Sequence, residues 1–231
     1  MKIKFLSVFS CLVLIATSFV SCVKEASNSV DQDKMYVNYQ LFYDKNRDVT
    51  EARATFRFSN QLGTLLELSN PSFVKFNNDV LLYEPIFSFY KKEYSGNVTT
   101  GNFTFSDTKG KVFVNPISNI EPIEFPSNFT SINKANSYTL TWVGTPVAKN
   151  QLVGIGMGST TAISGQLFGQ YLEGAADIVL DANKLQSVAT TNGQVIVVMD
   201  RHLVQPLVQG TSAGGELRST YRATNKTVTL Q

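Results

Sequence analysis

Residues 36–58 read YVNYQLFYDKNRDVTEARATFRF, and this stretch decides the fold class. Its apolar residues recur at every second position, the spacing of side chains along one face of a β-strand. In the first half they are Val37, Tyr39, Leu41 and Tyr43, and in the second half Ala52, Ala54, Phe56 and Phe58. Residues 44–50 between them are rich in Asp and Asn, which satisfy their own backbone in turns. The stretch therefore predicts a half-buried β-hairpin.

Short β-branched and aromatic runs continue along the whole chain, separated by Asn, Asp, Gly and Pro. In the first half they cover 64–68, 73–76, 80–83, 86–94, 102–106 and 111–115. In the second half they cover 138–142, 151–157, 175–180, 194–200, 203–209, 216–222 and 226–230. The one helical signal is a single turn at 181–187 with Asp181 as its N-cap. We expect an all-β chain made of two immunoglobulin-like β-sandwich domains in tandem.

Three prolines mark the expected boundary between the domains. Pro116, Pro122 and Pro126 fall within PISNIEPIEFP, where missing amide donors and a fixed φ interrupt a sheet. The predicted domains are therefore 35–116 and 117–231.

The N-terminus has the anatomy of a secretory signal. Lys2 and Lys4 precede an apolar run over 5–20 that is too short for a membrane span, and Ser21-Cys22 follows. This arrangement resembles a bacterial lipobox, which implies cleavage after residue 21 and attachment of lipid to Cys22. The alternative is an ordinary signal peptide in which Cys22 is incidental.

Residues 22–34 are polar and lack aromatic residues, so we expect a lipidated flexible tether. Its 12 residues after the cysteine could extend about 40 Å. Lys24-Glu25 is similar to a short charged signal that directs some lipoproteins to the outer face of the outer membrane, although solvated tether charge explains it equally well.

Charge and cysteine content exclude several function classes. The 231 residues include 20 basic and 18 acidic groups, and removal of 1–21 takes away two lysines and no acid. The balanced charge of the remaining chain gives no electrostatic footprint for nucleic acid. Cys11 leaves with the signal and Cys22 would be modified, so no thiol remains for a disulfide or a zinc site. No cofactor is expected.

Three phrases carry a resemblance that covers most of the chain after the signal. SFVKFNNDVLLYE (72–84), FTFSDTKGKVFVN (103–115) and SYTLTWVG (137–144) resemble exported lipoproteins of Bacteroidota built from immunoglobulin-like sandwiches. The resemblance implies a β-sandwich fold and an address in the cell envelope, on the periplasmic or the surface side of the outer membrane. It implies no catalytic residue.

Two stretches are candidate ligand-binding surfaces. Tyr90, Lys92 and Tyr94 share one side of a predicted strand, and we expect them partly exposed, with Phe87 and Phe89 buried on the other side. The alternative is a core stripe in which the tyrosine side is buried. The glycine-rich segment 158–174 has apolar residues at Leu167, Phe168 and Tyr171, which suit either a plug on the sandwich or a recognition loop.

Three further patterns bear on possible chemistry. Asp44, Asn46 and Asp48 alternate as in a calcium loop, but Val49 replaces the required glycine, and an Asx-rich hairpin loop is the alternative. GIGMG (154–158) superficially matches a dinucleotide loop, but without the following helix it indicates a strand whose glycines allow close packing. His202 is the sole histidine, and no nucleophile elbow accompanies it, so we expect an exposed or hydrogen-bonded histidine at a strand end rather than a catalytic base.

The combined expectation is a lipid-anchored binding or structural module of the cell envelope, with a glycan, an envelope protein or a host surface as partner and with no identifiable chemistry. One alternative is a fimbrial or assembly subunit that uses strand exchange. A second is a glycan-active hydrolase, which requires two facing carboxylates.

Overall fold

The computed structural model describes residues 24–158 and 165–231. The predicted signal peptide and the lipidation of Cys22 lie outside the described residues. Strands make up 54% of the described residues and one five-residue helix is present among them, which confirms the all-β prediction. Within these residues no helix is long and apolar enough to cross a membrane.

Ten strands precede residue 119. They are β1 (Glu25–Ala26), β2 (Met35–Asp44), β3 (Val49–Phe58), β4 (Leu65–Glu67), β5 (Phe73–Phe76), β6 (Asp79–Val80), β7 (Leu82–Glu84), β8 (Phe89–Ser95), β9 (Thr100–Ser106) and β10 (Val112–Ser118). Short 3-10 turns cover Ser27–Ser29 and Gln32–Lys34.

Ten strands and the helix follow. They are β11 (Ile123–Glu124), β12 (Ser131–Ile132), β13 (Tyr138–Thr141), β14 (Val143–Gly144), β15 (Gln151–Gly158), β16 (Gln166–Gln170), β17 (Asp177–Leu180), α1 (Ala182–Gln186), β18 (Gln194–Pro206), β19 (Gly215–Arg222) and β20 (Lys226–Leu230). The Asp181 carboxylate accepts from the Asn183 amide at 2.9 Å, which confirms the predicted N-cap of α1.

The predicted hairpin is confirmed as β2 and β3. The two strands are antiparallel over ten residue pairs, from Met35 opposite Phe58 to Asp44 opposite Val49. Their alternating apolar side chains face a four-stranded sheet with the order β10-β9-β5-β6. Across this interface the Tyr39 and Phe103 rings stack with centroids 4.7 Å apart. These two sheets enclose the N-terminal core as a β-sandwich.

The other half of the chain has its own core. The inward side chains of β15 and β18 pack against the segments that cover them; the core includes Leu140, Trp142, Val153, Ile155, Met157, Leu185, Val195, Val197 and Met199. The loop after β10 contributes as well, because Ile120 and Phe125 are buried here.

One large sheet joins the two cores. Its main path runs β1-β4-β3-β2-β19-β18-β15-β16, with β19 parallel to β2 over eight residue pairs. Leu217 of β19 is buried in the N-terminal core, whereas Tyr221 of the same strand is buried in the C-terminal core. The end of β2 also reaches the C-terminal core, where the Tyr43 and Tyr221 rings lie 5.2 Å apart. Tandem division at residues 116 and 117 stays a prediction, but β2 and β19 serve both cores.

The structure differs from the sequence prediction at the tether. Residues 24–34 pack on the N-terminal half: β1 pairs with β4, and Ser27 and Gln32 are buried. The Gln32 side-chain amide donates to the Ser27 carbonyl at 2.6 Å, and its oxygen accepts from the Thr108 amide at 3.3 Å. Buried side-chain hydrogen bonds thus hold this segment despite its polar composition.

The structure also differs from the sequence prediction at Pro116 and at residues 200–202, where strands were expected to end. Pro116 lies inside β10, where it is tolerated because β10 is at the edge of its sheet. The predicted strands 194–200 and 203–209 form one strand, β18, that runs through Asp200, Arg201 and His202.

Candidate functional site

A groove lies on the solvent-facing side of the large sheet, over β15, β16, β18 and the end of β19. Its volume is about 580 Å³, which is within the usual range of small-ligand sites. Its lining comprises Leu152, Gly154, Ile155, Gly156, Leu167, Phe168, Gly169, Val198, Asp200, His202 and Arg222. We call this surface the glycine-floored groove.

The floor is flat because glycines fall at alternate positions of β15. Val153, Ile155 and Met157 face the core, so Gly154 and Gly156 face the groove. Gly154 pairs with Gly169 of β16, which extends the bare backbone sideways. Leu152 and Leu167 stand beside this floor, and Leu167 is 74% exposed.

The fold does not require glycine at these two positions of β15. A Cβ built on Gly154 would meet no atom closer than 4.0 Å, and one on Gly156 would lie 3.6 Å from Leu167 Cδ2. Both are ordinary contact distances. At Gly101, by contrast, a Cβ would fall 2.1 Å from the Phe76 ring. The expectation that GIGMG permits close packing is therefore wrong for Gly154 and Gly156, which leave space open.

An ion pair closes one end of the groove. Arg222 donates from Nε and Nη2 to the two oxygens of Asp200, each at 2.8 Å. This fork raises the pKa of Arg222, and both charges are largely neutralised by each other. The guanidinium also lies 5.0 Å from the Phe42 ring centroid, and Arg53 lies 4.6 Å from the same centroid.

His202 is held by a row of hydrogen bonds that starts on β3. Arg53 Nη1 donates to Gln40 Oε1 at 3.4 Å, and Gln40 Nε2 donates to Thr220 Oγ1 at 3.1 Å. Thr220 Oγ1 lies 3.0 Å from His202 Nδ1. Thr220 is buried and its oxygen accepts from Gln40, so its hydroxyl can donate to Nδ1 when that nitrogen carries no proton.

Burial of the ring sets the charge of the imidazole, and the hydrogen-bond row is the basis for assigning its tautomer. Burial lowers the pKa of His202, against the opposing charge of Asp200, so the ring is neutral at pH 7. We assign the tautomer in which Nδ1 accepts from Thr220, and in this tautomer the proton sits on Nε2. Nε2 lies over the floor, 4.0 Å from the Cβ position of Gly154, and within the described chain it has no hydrogen-bond partner. The groove therefore presents one N–H donor above an apolar floor.

The first predicted platform is not formed. Tyr90 is buried in the N-terminal core, where its hydroxyl accepts from the Leu68 amide at 2.6 Å and burial raises its pKa to about 12. Tyr94 packs partly against the same core, and Lys92 alone of the three is exposed. Phe87 is 64% exposed, so the expectation of buried Phe and exposed Tyr is wrong. Tyr90 lies opposite the small residue Ala54, which leaves room for its ring in the core, and Tyr94 lies opposite Thr50.

The second predicted surface is split among different locations. Leu167 lies in the groove wall, Phe168 packs into the C-terminal core, and Tyr171 is exposed outside the groove lining. Residues 159–164 of that predicted loop lie outside the described residues.

The predicted calcium ligands instead hydrogen-bond within the hairpin loop. Asp44 Oδ1 accepts from the backbone and side-chain nitrogens of Asn46, at 3.0 and 2.8 Å. Asp48 Oδ1 accepts from the Tyr43 hydroxyl at 2.9 Å. Among residues 24–158 and 165–231 no group of three or more His, Cys, Asp or Glu is placed to hold a metal. These contacts match the Asx-rich loop.

Sequence reasoning did not identify the groove. The available signal was the alternation of glycine with Val153, Ile155 and Met157, which places every glycine on the face away from the core. Arg222 and Thr220 could not be connected with His202, because β18 and β19 pair only in the folded chain.

Comparisons with known proteins give weak likenesses alone. No family model matches the chain, and no curated protein matches it. Among solved structures, Salmonella α2-macroglobulin reacted with methylamine has a TM-score of 0.25 at 9% identity over 82% of this chain. Trypsin-activated α2-macroglobulin from Escherichia coli gives 0.23 at 9% identity over 82% of this chain, and the native E. coli protein 0.23 at 10% over 83%. The chain spans 14–15% of the length of these proteins.

Proposed function

We propose that this protein is a lipid-anchored binding module of the bacterial cell envelope, attached to the outer membrane through Cys22, and that its ligand is a saccharide unit of a glycan. The anchor rests on the lipobox-like Ser21-Cys22. The binding role rests on one observation, the glycine-floored groove, whose glycines the fold itself does not demand.

The chemistry of the groove favours a sugar ring over a charged ligand. Asp200 and Arg222 neutralise each other, so neither sign of charge is in excess. A pyranose ring has an apolar face that can lie on Gly154 and Gly156, and its hydroxyl oxygens can accept from His202 Nε2. The Asp200 carboxylate, held by Arg222, belongs to the same groove lining and can accept from a further sugar hydroxyl. Hydroxyls that point away from the groove remain hydrated because the site is open.

Binding is favoured over hydrolysis at this site. Glycosidases use two carboxylates on either side of the scissile bond. The described lining contains a single carboxylate, Asp200, and a bidentate Arg222 holds it. A strand-exchange subunit needs an acceptor groove where one strand of a sheet is missing. The glycine-floored groove does not have this form, because β15 beneath it pairs with β16 on one side and β18 on the other.

A glycan array probed with protein extracted from membranes tests this function. Gly156→Val fills the floor at an ordinary contact distance and should abolish binding while the protein stays folded. Gly158→Val is the matched control, because Gly158 lies on the same face of β15 but outside the groove lining. Loss of binding in both variants, or in neither, would contradict the assignment of the groove.

A further inference from the structure

The described chain begins at a fixed point between two hairpins. Lys24 Nζ lies 2.5 Å from Glu67 Oε2 of β4 and 4.5 Å from the centroid of the Tyr83 ring on β7. The next two residues form β1, with Glu25 opposite Leu66. The hairpin of β3 and β4 and the hairpin of β7 and β8 therefore both contact the point where the chain enters the fold.

The proposed lipid site is very close to this point. Cys22 precedes Lys24 by two residues, and consecutive Cα atoms are 3.8 Å apart, so their Cα atoms are separated by less than about 8 Å. With residues 24–34 packed on the sheet, no long tether separates a lipid on Cys22 from the folded chain. The bilayer surface would lie directly beside the two hairpins.

Both hairpins carry exposed apolar side chains in their connecting turns. Leu62, between β3 and β4, is 91% exposed, and Ile86, between β7 and β8, is 88% exposed. Phe87 follows Ile86 and its ring stacks on Phe89, with centroids 5.6 Å apart. Leu62 is three residues from β4, and Ile86 is three residues from Tyr83, which is roughly 10 Å of chain in each case.

We propose that Leu62, Ile86 and Phe87 form a membrane-contact surface that inserts at the boundary between lipid headgroups and acyl chains. This proposal rests on the lipid anchor of the proposed function. A lipid chain and inserted apolar side chains act together, because each adds buried hydrocarbon to the same attachment. Lys24, which would otherwise be an unpaired charge at this surface, is neutralised by Glu67.

Contact at these turns would also orient the groove. In the main path of the large sheet, β1 and β4 are at one end and β15 and β16 are at the other. Strands are spaced about 4.8 Å apart, so the seven spacings from β1 to β16 place the groove on the order of 30 Å from the attached edge. The glycine-floored groove would then be held away from the bilayer.

Tryptophan reporters in the full chain test the membrane-contact surface. Leu62→Trp and Ile86→Trp would be expressed in cells, extracted, and reconstituted in phosphatidylethanolamine and phosphatidylglycerol vesicles that contain brominated acyl chains. Both reporters should lose emission and shift to shorter wavelength on vesicles. Val179→Trp is the control, because Val179 is also exposed, at 55%, but lies on β17 in the C-terminal half, and its emission should not change. The native Trp142 is buried and gives a constant background.

Flotation with the vesicles and mass spectrometry of the N-terminus separate the two proposals. Protein that floats with a lipidated Cys22, and whose Leu62→Trp and Ile86→Trp reporters are quenched, supports both. Floating protein with unquenched reporters overturns the membrane-contact surface and leaves the anchor intact. Protein that carries a bare N-terminus and does not float overturns the anchor and the contact surface, and glycan-array binding would still report on the groove.

Discussion

Arg201 has no exposed surface, although arginine is rarely buried without a close carboxylate partner. Nη1 donates to Thr145 Oγ1 at 2.6 Å, Nη2 donates to the Thr145 carbonyl, and Nε has no partner in the described structure. The nearest carboxylate, Glu121, is 3.7 Å away and 62% exposed. Burial therefore lowers the pKa of Arg201. The free energy needed to desolvate the guanidinium exceeds the stabilisation from its ion pair with Glu121.

The side chain thus contributes by filling space, and two substitutions separate packing from charge. Arg201→Met should keep the free energy of unfolding within about 1 kcal/mol of the natural chain, or raise it, because it fills the site without a buried charge. Arg201→Ala should lower it by about 3 kcal/mol through the cavity it leaves. Urea denaturation followed by circular dichroism measures both. Equal losses in the two variants would show that the charge itself stabilises the core.

His202 gives the protein a specific pH dependence. Its pKa is lowered in the folded state by burial, which outweighs Asp200, and Arg218 and Arg222 act in the same direction as burial. The unfolded chain therefore binds a proton first as the pH falls through the ordinary histidine pKa of 6.5. Stability is fully present above that pH and is lost as the pH falls from it toward the folded-state pKa.

Because His202 is the sole histidine, His202→Gln should remove this dependence. The urea midpoint of the natural chain should decrease when the pH is lowered from about 7.5 to about 5.5, and the midpoint of the variant should decrease less. Circular dichroism at the two pH values measures this. If both proteins lose the same stability, carboxylates rather than His202 account for the effect.

At the scale of elements, the pairing of β19 with β2 depends on Gly215. A Cβ at this position would fall 2.0 Å from the Val37 carbonyl oxygen, which is backbone and cannot move aside. Gly215→Ala should therefore lower the free energy of unfolding by about 3 kcal/mol, the upper range of overpacking in a fixed site. Gly154→Ala is the matched control, since its Cβ meets nothing closer than 4.0 Å; it should leave the free energy of unfolding unchanged or raise it by up to about 1 kcal/mol.

Chemical denaturation of the two alanine variants decides this point. A small and similar change in both would mean that β2 and β19 separate easily, so that the parallel pairing contributes little to the fold.

The elements that could be predicted from sequence are those whose signals are local. Strict alternation identified β2 and β3, and Asp181 identified the start of α1. Non-local partners could not be read. The charges at 200–202 looked like the end of a strand, yet Arg222, Thr145 and Thr220 satisfy them from distant positions.

The groove could not be predicted because its lining comes from strands that are distant in sequence. A further obstacle is that sequence does not show whether a strand face is covered. Alternation along β15 can indicate which residues face the core, but not whether the opposite glycines are covered. That depends on what β16 and β18 place beside them, and these neighbours belong to other parts of the chain. The tether was misjudged because composition does not reveal buried hydrogen bonds such as that from Gln32 to Ser27.

For the whole molecule, strands shared by both cores predict cooperative unfolding. β2 and β19 each place side chains in the N-terminal and the C-terminal core. Unfolding of these strands in one core therefore exposes apolar side chains of the other core as well. Phe103→Ala should destabilise the N-terminal core by about 3–5 kcal/mol. It should also shift the unfolding transition reported by Trp142, the sole tryptophan, which lies in the C-terminal core.

Comparison of two probes measures this coupling. Trp142 fluorescence and far-ultraviolet circular dichroism of Phe103→Ala should give the same lowered urea midpoint. A Trp142 transition that stays at the midpoint of the natural chain would mean that the two halves unfold independently, as two separable domains would.

Among the described strands β16 ends the main path of the large sheet, and this position affects how neighbouring copies of the protein interact at high density. Lys184 reaches from α1 and donates to the Leu167 carbonyl at 2.9 Å, and the Gln170 side chain donates to the Asp177 carbonyl at 3.1 Å. An incoming strand would have to displace this ammonium group before it could join the sheet. At high surface density, this contact disfavours edge-to-edge strand pairing between copies of the protein, and hence fibril formation, at β16.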